Sequence, residues 1–214
     1  DAATGAILAE LVGHTESVAS AAFSPDGTRI VTTSEDTTAR VWDAATGASL
    51  AERTGHTESV CSAVFSPDGT RIVTASDDST VLVWDAATGA SLAELKGHTD
   101  WVTSAAFSPD GTKIVTAGDK TPRVWDAATG ISLAELKGHT SKVWFAAFSP
   151  GGTRIVTTSG DTTRVWNAVS GECLETIHGT SDIAAIIEGP ATYPWRVTAK
   201  SLETTIERLA DGSV

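Results

Sequence analysis

Three residues near the start of the chain invite a catalytic reading. His14, Thr32 and Asp36 supply an imidazole, a hydroxyl and a carboxylate, and Trp42 closes the stretch. In a nucleophilic triad the imidazole takes the hydroxyl proton while the carboxylate orients the ring. Such a set is needed once, at an open cleft. Whether this one is unique therefore decides between chemistry and architecture.

It is not unique. Gly-His pairs stand at Gly13-His14, Gly55-His56, Gly97-His98 and Gly138-His139, in steps of 42, 42 and 41 residues. Trp followed by Asp or Asn recurs at Trp42, Trp84, Trp125 and Trp166, in steps of 42, 41 and 41. Between them "FSPDGT" returns at Phe23, Phe65 and Phe107, and as "FSPGGT" at Phe148. A constellation present four times is a repeat motif, and a period near 40 marks a repeat architecture. Its physical logic is plain: a buried Trp needs an acceptor for its indole N–H, and a buried His must satisfy two ring nitrogens. A relay of donors and acceptors lets these groups stay inside and fixes how neighbouring strands meet.

Each unit reads as four short strands. An apolar run such as "SVASAAF" gives strand a, "SPDG" a turn, and "TRIVTTS" a β-branched strand b. A polar turn with Asp leads to "TARVW", strand c, then "DAATG" and "ASLAEL", strand d. The Asp after each Trp belongs to that last hairpin. No segment keeps a helical period, so the fold class is all-β.

These units, "GH…SPDGT…VWD", resemble the WD-repeat (WD40) β-propeller family, in a bacterial-type form with highly similar repeats. The resemblance covers residues 1 to about 178. It implies four-stranded antiparallel blades around a channel, here a single domain over 1–214. Residues 1–12 would be an outer strand d. The blades would span about 13–54, 55–96, 97–137 and 138–177, with a degenerate fifth over 178–214 that lacks the motif His and Trp. Two arrangements stay open. The N-terminal strand could complete the last blade and close a five-bladed ring, leaving no unpaired edge. Alternatively the chain belongs to a larger ring, seven-bladed for example, and reads as a piece of a longer protein.

By the same resemblance each blade holds a hydrogen-bonded tetrad. Its members are His14, Thr32, Asp36 and Trp42; His56, Thr74, Asp78 and Trp84; His98, Thr116, Asp119 and Trp125; and His139, Thr157, Asp161 and Trp166. The fifth histidine, His178, sits in "IHGT" with the order reversed. No histidine is left over for a metal or a general base, so no enzyme, cofactor or metal is expected. A propeller lectin or hydrolase would need one unrepeated acid, metal or sugar cluster, and the sequence offers none. Units three and four are one residue shorter before the Trp, which leaves the place of Asp119 open.

Function then falls to surfaces. The family's usual contact positions on the top face map to Ser17, Ala19 and Glu35; Ser59, Cys61 and Asp77; Trp101, Thr103 and Gly118; and Lys142, Trp144 and Gly160. Trp101 and Trp144 differ most from their counterparts, and such Trp residues are candidate contact hot spots. Trp195 is read as core. The formal net charge is −12, which repels nucleic acid and anionic membranes. No run is long and apolar enough to span a membrane. Cys61 and Cys173 fall at different strand positions and are not expected to pair. The expectation is a non-catalytic scaffold or sensor that binds a protein or peptide, with a unit that self-assembles through open blade edges as the alternative. No compartment is encoded, the cytoplasm being favoured.

Overall fold

The computed structural model describes the backbone of residues 3–178, 195–200 and 203–208, and the side chains of residues 3–178. Strands form where β-branched and apolar residues run between Gly- and Asp-bearing turns. The first unit gives β1 (Val18–Phe23), β2 (Arg29–Ser34), β3 (Ala39–Asp43) and β4 (Ser49–Arg53). The second gives β5 (Val60–Phe65), β6 (Arg71–Ser76), β7 (Val81–Asp85) and β8 (Ser91–Leu95). The third gives β9 (Ser104–Phe107), β10 (Lys113–Ala117), β11 (Arg123–Asp126) and β12 (Ser132–Glu135). The fourth gives β13 (Val143–Phe148), β14 (Arg154–Ser159), β15 (Thr162–Asn167) and β16 (Cys173–His178). Each unit is one antiparallel sheet in chain order, and no helix occurs among the described residues.

The turns explain their own sequences. In "SPDGT" Asp26 Oδ1 accepts from Ser24 Oγ (2.6 Å), Thr28 N (3.0 Å) and Thr28 Oγ1 (2.9 Å). Gly27 supplies the left-handed residue, with φ of 71°. The Ser hydroxyl first, then the Thr28 N–H and hydroxyl, hold the Asp26 carboxyl down at about 2. Asp43 caps the "DAATG" turn in the same manner, accepting from Thr46 N (2.8 Å), Thr46 Oγ1 (2.8 Å) and Ala45 N (3.1 Å). The Asp residues after Trp are thus turn carboxylates.

The core lies between sheets. Val31 and Val41 of the first blade pack on Ala63, Phe65, Ile72 and Trp84 of the second. The second blade's Val73, Val83 and Leu95 meet Val102, Ile114 and Trp125 of the third. The third blade's Val115, Val124 and Leu136 meet Val143, Ile155 and Trp166 of the fourth. Arginine bolts two of these seams at the "SPDG" end. Arg29 Nη2 donates to the Gly69 carbonyl (2.9 Å) and Arg71 Nη2 to the Gly111 carbonyl (2.7 Å).

One face is left uncovered by the described residues. Phe23 is 65% exposed where its counterpart Phe65 is 8% exposed. Val18 is 55% exposed where Val60 is 0% exposed. The first blade has no predecessor packed on β1 among the described residues.

Of the outer strand expected over 1–12, residues 3–12 are described, and they form no ladder with another described strand. The position is nonetheless that of an outer strand. Ala9, Glu10 and Leu11 lie against Gly47 as Ala93, Glu94 and Leu95 lie against Gly130. The expected fifth unit over 178–214 falls almost wholly outside the described residues, as does the side chain of Trp195. What is described there is a pair of antiparallel strands, β17 (Trp195–Lys200) and β18 (Glu203–Arg208), with Val197 opposite Ile206.

Candidate functional site

The polar relay of each blade comes from strand b, the b–c turn, strand c and the loop before strand a. In the first, Trp42 Nε1 donates to Thr32 Oγ1 (2.8 Å), which lies 2.8 Å from His14 Nε2. His14 Nδ1 is 2.8 Å from Asp36 Oδ2. A carboxylate only accepts, so Nδ1 carries the proton and Nε2 accepts from the threonine hydroxyl. Every donor in the chain from indole to carboxylate is then used. The second relay repeats this: Trp84 to Thr74 at 2.9 Å, Thr74 to His56 at 2.8 Å, and His56 to Asp78 at 2.9 Å.

The shortened turns alter the other two. Trp125 Nε1 donates to Thr116 (2.8 Å) and Thr116 meets His98 Nε2 (2.7 Å). Asp119 Oδ2 stands 3.3 Å from His98 Nδ1, but that nitrogen makes no hydrogen bond among the described residues. In the fourth relay Trp166 and His139 Nε2 both reach Thr157, each at 2.7 Å. Asp161 does not join it, contrary to expectation. His139 Nδ1 faces the hydroxyls of Thr162 (3.1 Å) and Ser159 (3.2 Å) instead. With one residue fewer in the turn, Asp161 is exposed and takes a hydrogen bond from Ser159 Oγ (3.0 Å).

Burial pushes the His56, His98 and His139 imidazoles toward the neutral form, His139 down to about 4 with Arg164 nearby adding to the effect. The carboxylates respond oppositely. Burial disfavours ionised Asp36, but hydrogen bonds from Thr38, Thr15 and His14 outweigh it and hold the group well below its usual range. Thr74, Thr116 and Thr157 are fully buried, each with its oxygen already bound by an indole N–H. A hollow of about 290 Å³ beside the second relay is lined by Thr57, Asp78, Leu82, Trp84 and Glu94, without Thr74. Among the described residues no group of three His, Cys, Asp or Glu could hold a metal ion.

The expected contact positions lie on the loop before strand a, on strand a itself and on the b–c turn, next in sequence to the relay carboxylates in the first two blades. Strand a bulges at Ala19, Cys61 and Trp144, where the register skips a residue. A bulge leaves one residue unpaired and re-aims its side chain, and Trp144 is 38% exposed. Trp101 is 54% exposed, and Lys142 Nζ lies 4.5 Å from the centre of its ring. That ammonium also lies 3.2 Å from Asp100 Oδ1. Thr103 Oγ1 donates to the Trp144 carbonyl (3.1 Å), tying the two blades. The Cys61 thiol donates to Asp77 Oδ1 (3.1 Å), and burial followed by that carboxylate pushes it up to about 12. Backbone N–H groups of Glu35 and Asp77 donate to the Ser17 and Ser59 carbonyls, 3.0 Å in both cases. Gly160 is exposed, whereas Gly118 is buried beneath the Trp101 backbone and is no contact position. Cys61 and Cys173 are free thiols.

Sequence reasoning missed Asp100. Its signal was present: two residues after the Gly-His histidine, Glu16, Glu58 and Asp100 are acidic in three units.

Sheets of four antiparallel strands, stacked face to face and each tied by a Trp–Thr–His relay, define a blade-repeat protein. The WD domain, G-beta repeat (WD40) family matches residues 5–43, 47–85, 89–126 and 130–167, and the chain belongs to that family. Each match runs from the glycine of a c–d turn to the residue after a relay tryptophan. A comparison with curated proteins gave no match. WD40 repeats generally mediate protein–protein scaffolding, and the family is typically non-catalytic.

Proposed function

We propose that this domain is a non-catalytic docking scaffold that engages a protein or peptide through the face bearing Trp101 and Trp144. The supporting observation is that two large aromatic side chains stay exposed on adjacent blades at positions the blade core does not use. Ser17 and Ser59 replace Trp101 in the first two units, and Ala19 and Cys61 replace Trp144. Exposed Trp is costly to leave in water and productive when covered by a partner. Cys61, Thr103, Asp77 and Lys142 border the aromatic pair, with Ser17, Ser59 and Glu35 extending the face across the first two blades. The acidic balance favours a partner that is neither nucleic acid nor an anionic membrane.

The test is a peptide library selected on the wild-type chain and re-bound to Trp101→Ala and Trp144→Ala. Loss of the selected binders in either variant supports the reading; unchanged binding by both contradicts it.

A second reading has its own observation. The bare β1 face, with Phe23 and Val18 exposed, suits assembly through blade edges into oligomers. In a closed five-bladed ring, residues 178–214 would cover that face, with 1–12 as the outer strand of the last blade. In a larger ring, further blades would do so. Mass in solution separates these: a monomer that resists dilution favours closure, and a concentration-dependent dimer or filament favours edge assembly.

A further inference from the structure

Trp101 already holds a cation. Ser17, Ser59 and Lys142 stand at the same offset from the Gly-His histidines of the other units, so no relay requires an indole there. The ring is more than half exposed, yet the Lys142 ammonium sits 4.5 Å from its centre. Asp100, 3.2 Å from the same nitrogen, supplies the countercharge. An aromatic face beside a carboxylate is a cation-binding pair. Neither contact is part of the core: the Lys142 and Asp100 side chains are themselves 36% and 49% exposed.

The neighbourhood carries more negative charge than Lys142 balances. Glu58 precedes Trp101 as Asp100 precedes Lys142, two residues after the histidine of the preceding unit. Asp77 lies beside Cys61, whose thiol feels both Asp77 and Lys142. Asp100 and Asp77 therefore set two carboxylates against one ammonium on this part of the face.

We propose that Trp101 and Asp100 form a cation seat which Lys142 fills in the free chain, and from which a partner's arginine side chain displaces it. The proposal rests on the docking-face reading above and names the chemistry recognised there. A guanidinium suits the seat better than an ammonium: it is planar, stacks on an indole and forks onto a carboxylate, and it is less strongly hydrated. Lys142 then acts as a built-in competitor. It keeps the aromatic face from lying open, and it sets a threshold that weak cations do not pass.

The experiment uses three capped five-residue peptides that differ only in a central arginine, norleucine or glutamate. Each is titrated into the full chain while the indole N–H resonance of Trp101 is followed, assigned with Trp101→Phe. The arginine peptide is expected to shift that resonance and the glutamate peptide to leave it in place. Lys142→Met should tighten the arginine peptide about five-fold, since one exposed cation–π contact and one exposed ion pair no longer compete. Asp100→Asn should weaken it in the wild-type and Lys142→Met backgrounds alike. Unchanged or weaker arginine binding by Lys142→Met overturns the proposal. A norleucine peptide that shifts Trp101 as strongly as arginine overturns the cation while leaving the docking face standing. If no peptide moves Trp101 or Trp144 in either background, both the seat and the face are rejected.

Discussion

Adjacent threonines on β2 should respond in opposite directions to the same substitution. Thr32 Oγ1 accepts from Trp42 Nε1 and donates to His14 Nε2, each at 2.8 Å. Thr33 Oγ1, one residue on and equally buried, has no hydrogen-bond partner among the described residues. The reason is local. Thr33 pairs across the strands with Ala39, whereas its counterpart Thr158 pairs with Thr163 and the two hydroxyls meet at 3.3 Å. Valine has nearly the shape of threonine without the hydroxyl. Thr32→Val strands an indole N–H and an imidazole nitrogen inside the blade, at about 1–3 kcal/mol each. Allowing for the methyl gained, the net cost is about 3 kcal/mol. For a domain of this size that lowers Tm by roughly 6–12 °C. Thr33→Val removes an orphaned hydroxyl and should be neutral or stabilise by up to about 1 kcal/mol. Urea and thermal unfolding of the two variants beside wild type give the comparison. Equal losses, or a larger loss for Thr33→Val, would refute the claim that the relay satisfies its buried polar groups.

Acid should weaken the domain before its carboxylates titrate. His56, His98 and His139 have folded pKa values below the ordinary 6.5, so the unfolded chain binds the protons that the folded chain refuses. Their contribution is complete above about pH 6.5 and declines as pH falls toward 4, by on the order of 2–3 kcal/mol for His139. Urea midpoints at pH 7, 6 and 5 should fall steadily; a flat profile contradicts the assignment. Gly118→Ala should destabilise by about 2 kcal/mol, because the new methyl would stand 2.7 Å from the Trp101 carbonyl oxygen, while Gly160→Ala, with open space around it, should be silent. Gly151→Asp should stabilise by about 1 kcal/mol. It restores the turn acceptor that Asp26, Asp68 and Asp110 provide, at a position with nothing within 4 Å.

The blade architecture was legible because its signals are local and repeated. Gly27 and Gly47 mark turns that need left-handed backbone. The alternation in "RIVTTS" puts Val31 and Thr33 on one face and Thr32 on the other, where the relay runs. Three features were hidden because they depend on neighbours. Asp161 has the motif's spacing, but a turn one residue shorter gives its place at His139 to Thr162 and Ser159. Residues 3–12 carry the outer-strand sequence and lie where an outer strand would, without a ladder to any described strand. Asp100 became a site residue only when the stacking of blades three and four brought Lys142 across to it. In each case the type of residue was readable and its partner was not, since the partner lies on another blade or on the far side of a shortened turn.

The central claim is that the histidines of the Gly-His pairs are structural acceptors, neutral and committed to threonine. Long-range proton–nitrogen correlation spectra of the imidazoles report this directly. At pH 7, His14 and His56 should appear protonated at Nδ1, with Nε2 accepting a hydrogen bond from the threonine hydroxyl. A free ring in fast exchange with solvent, or one protonated at Nε2 with Nδ1 open, would contradict the account.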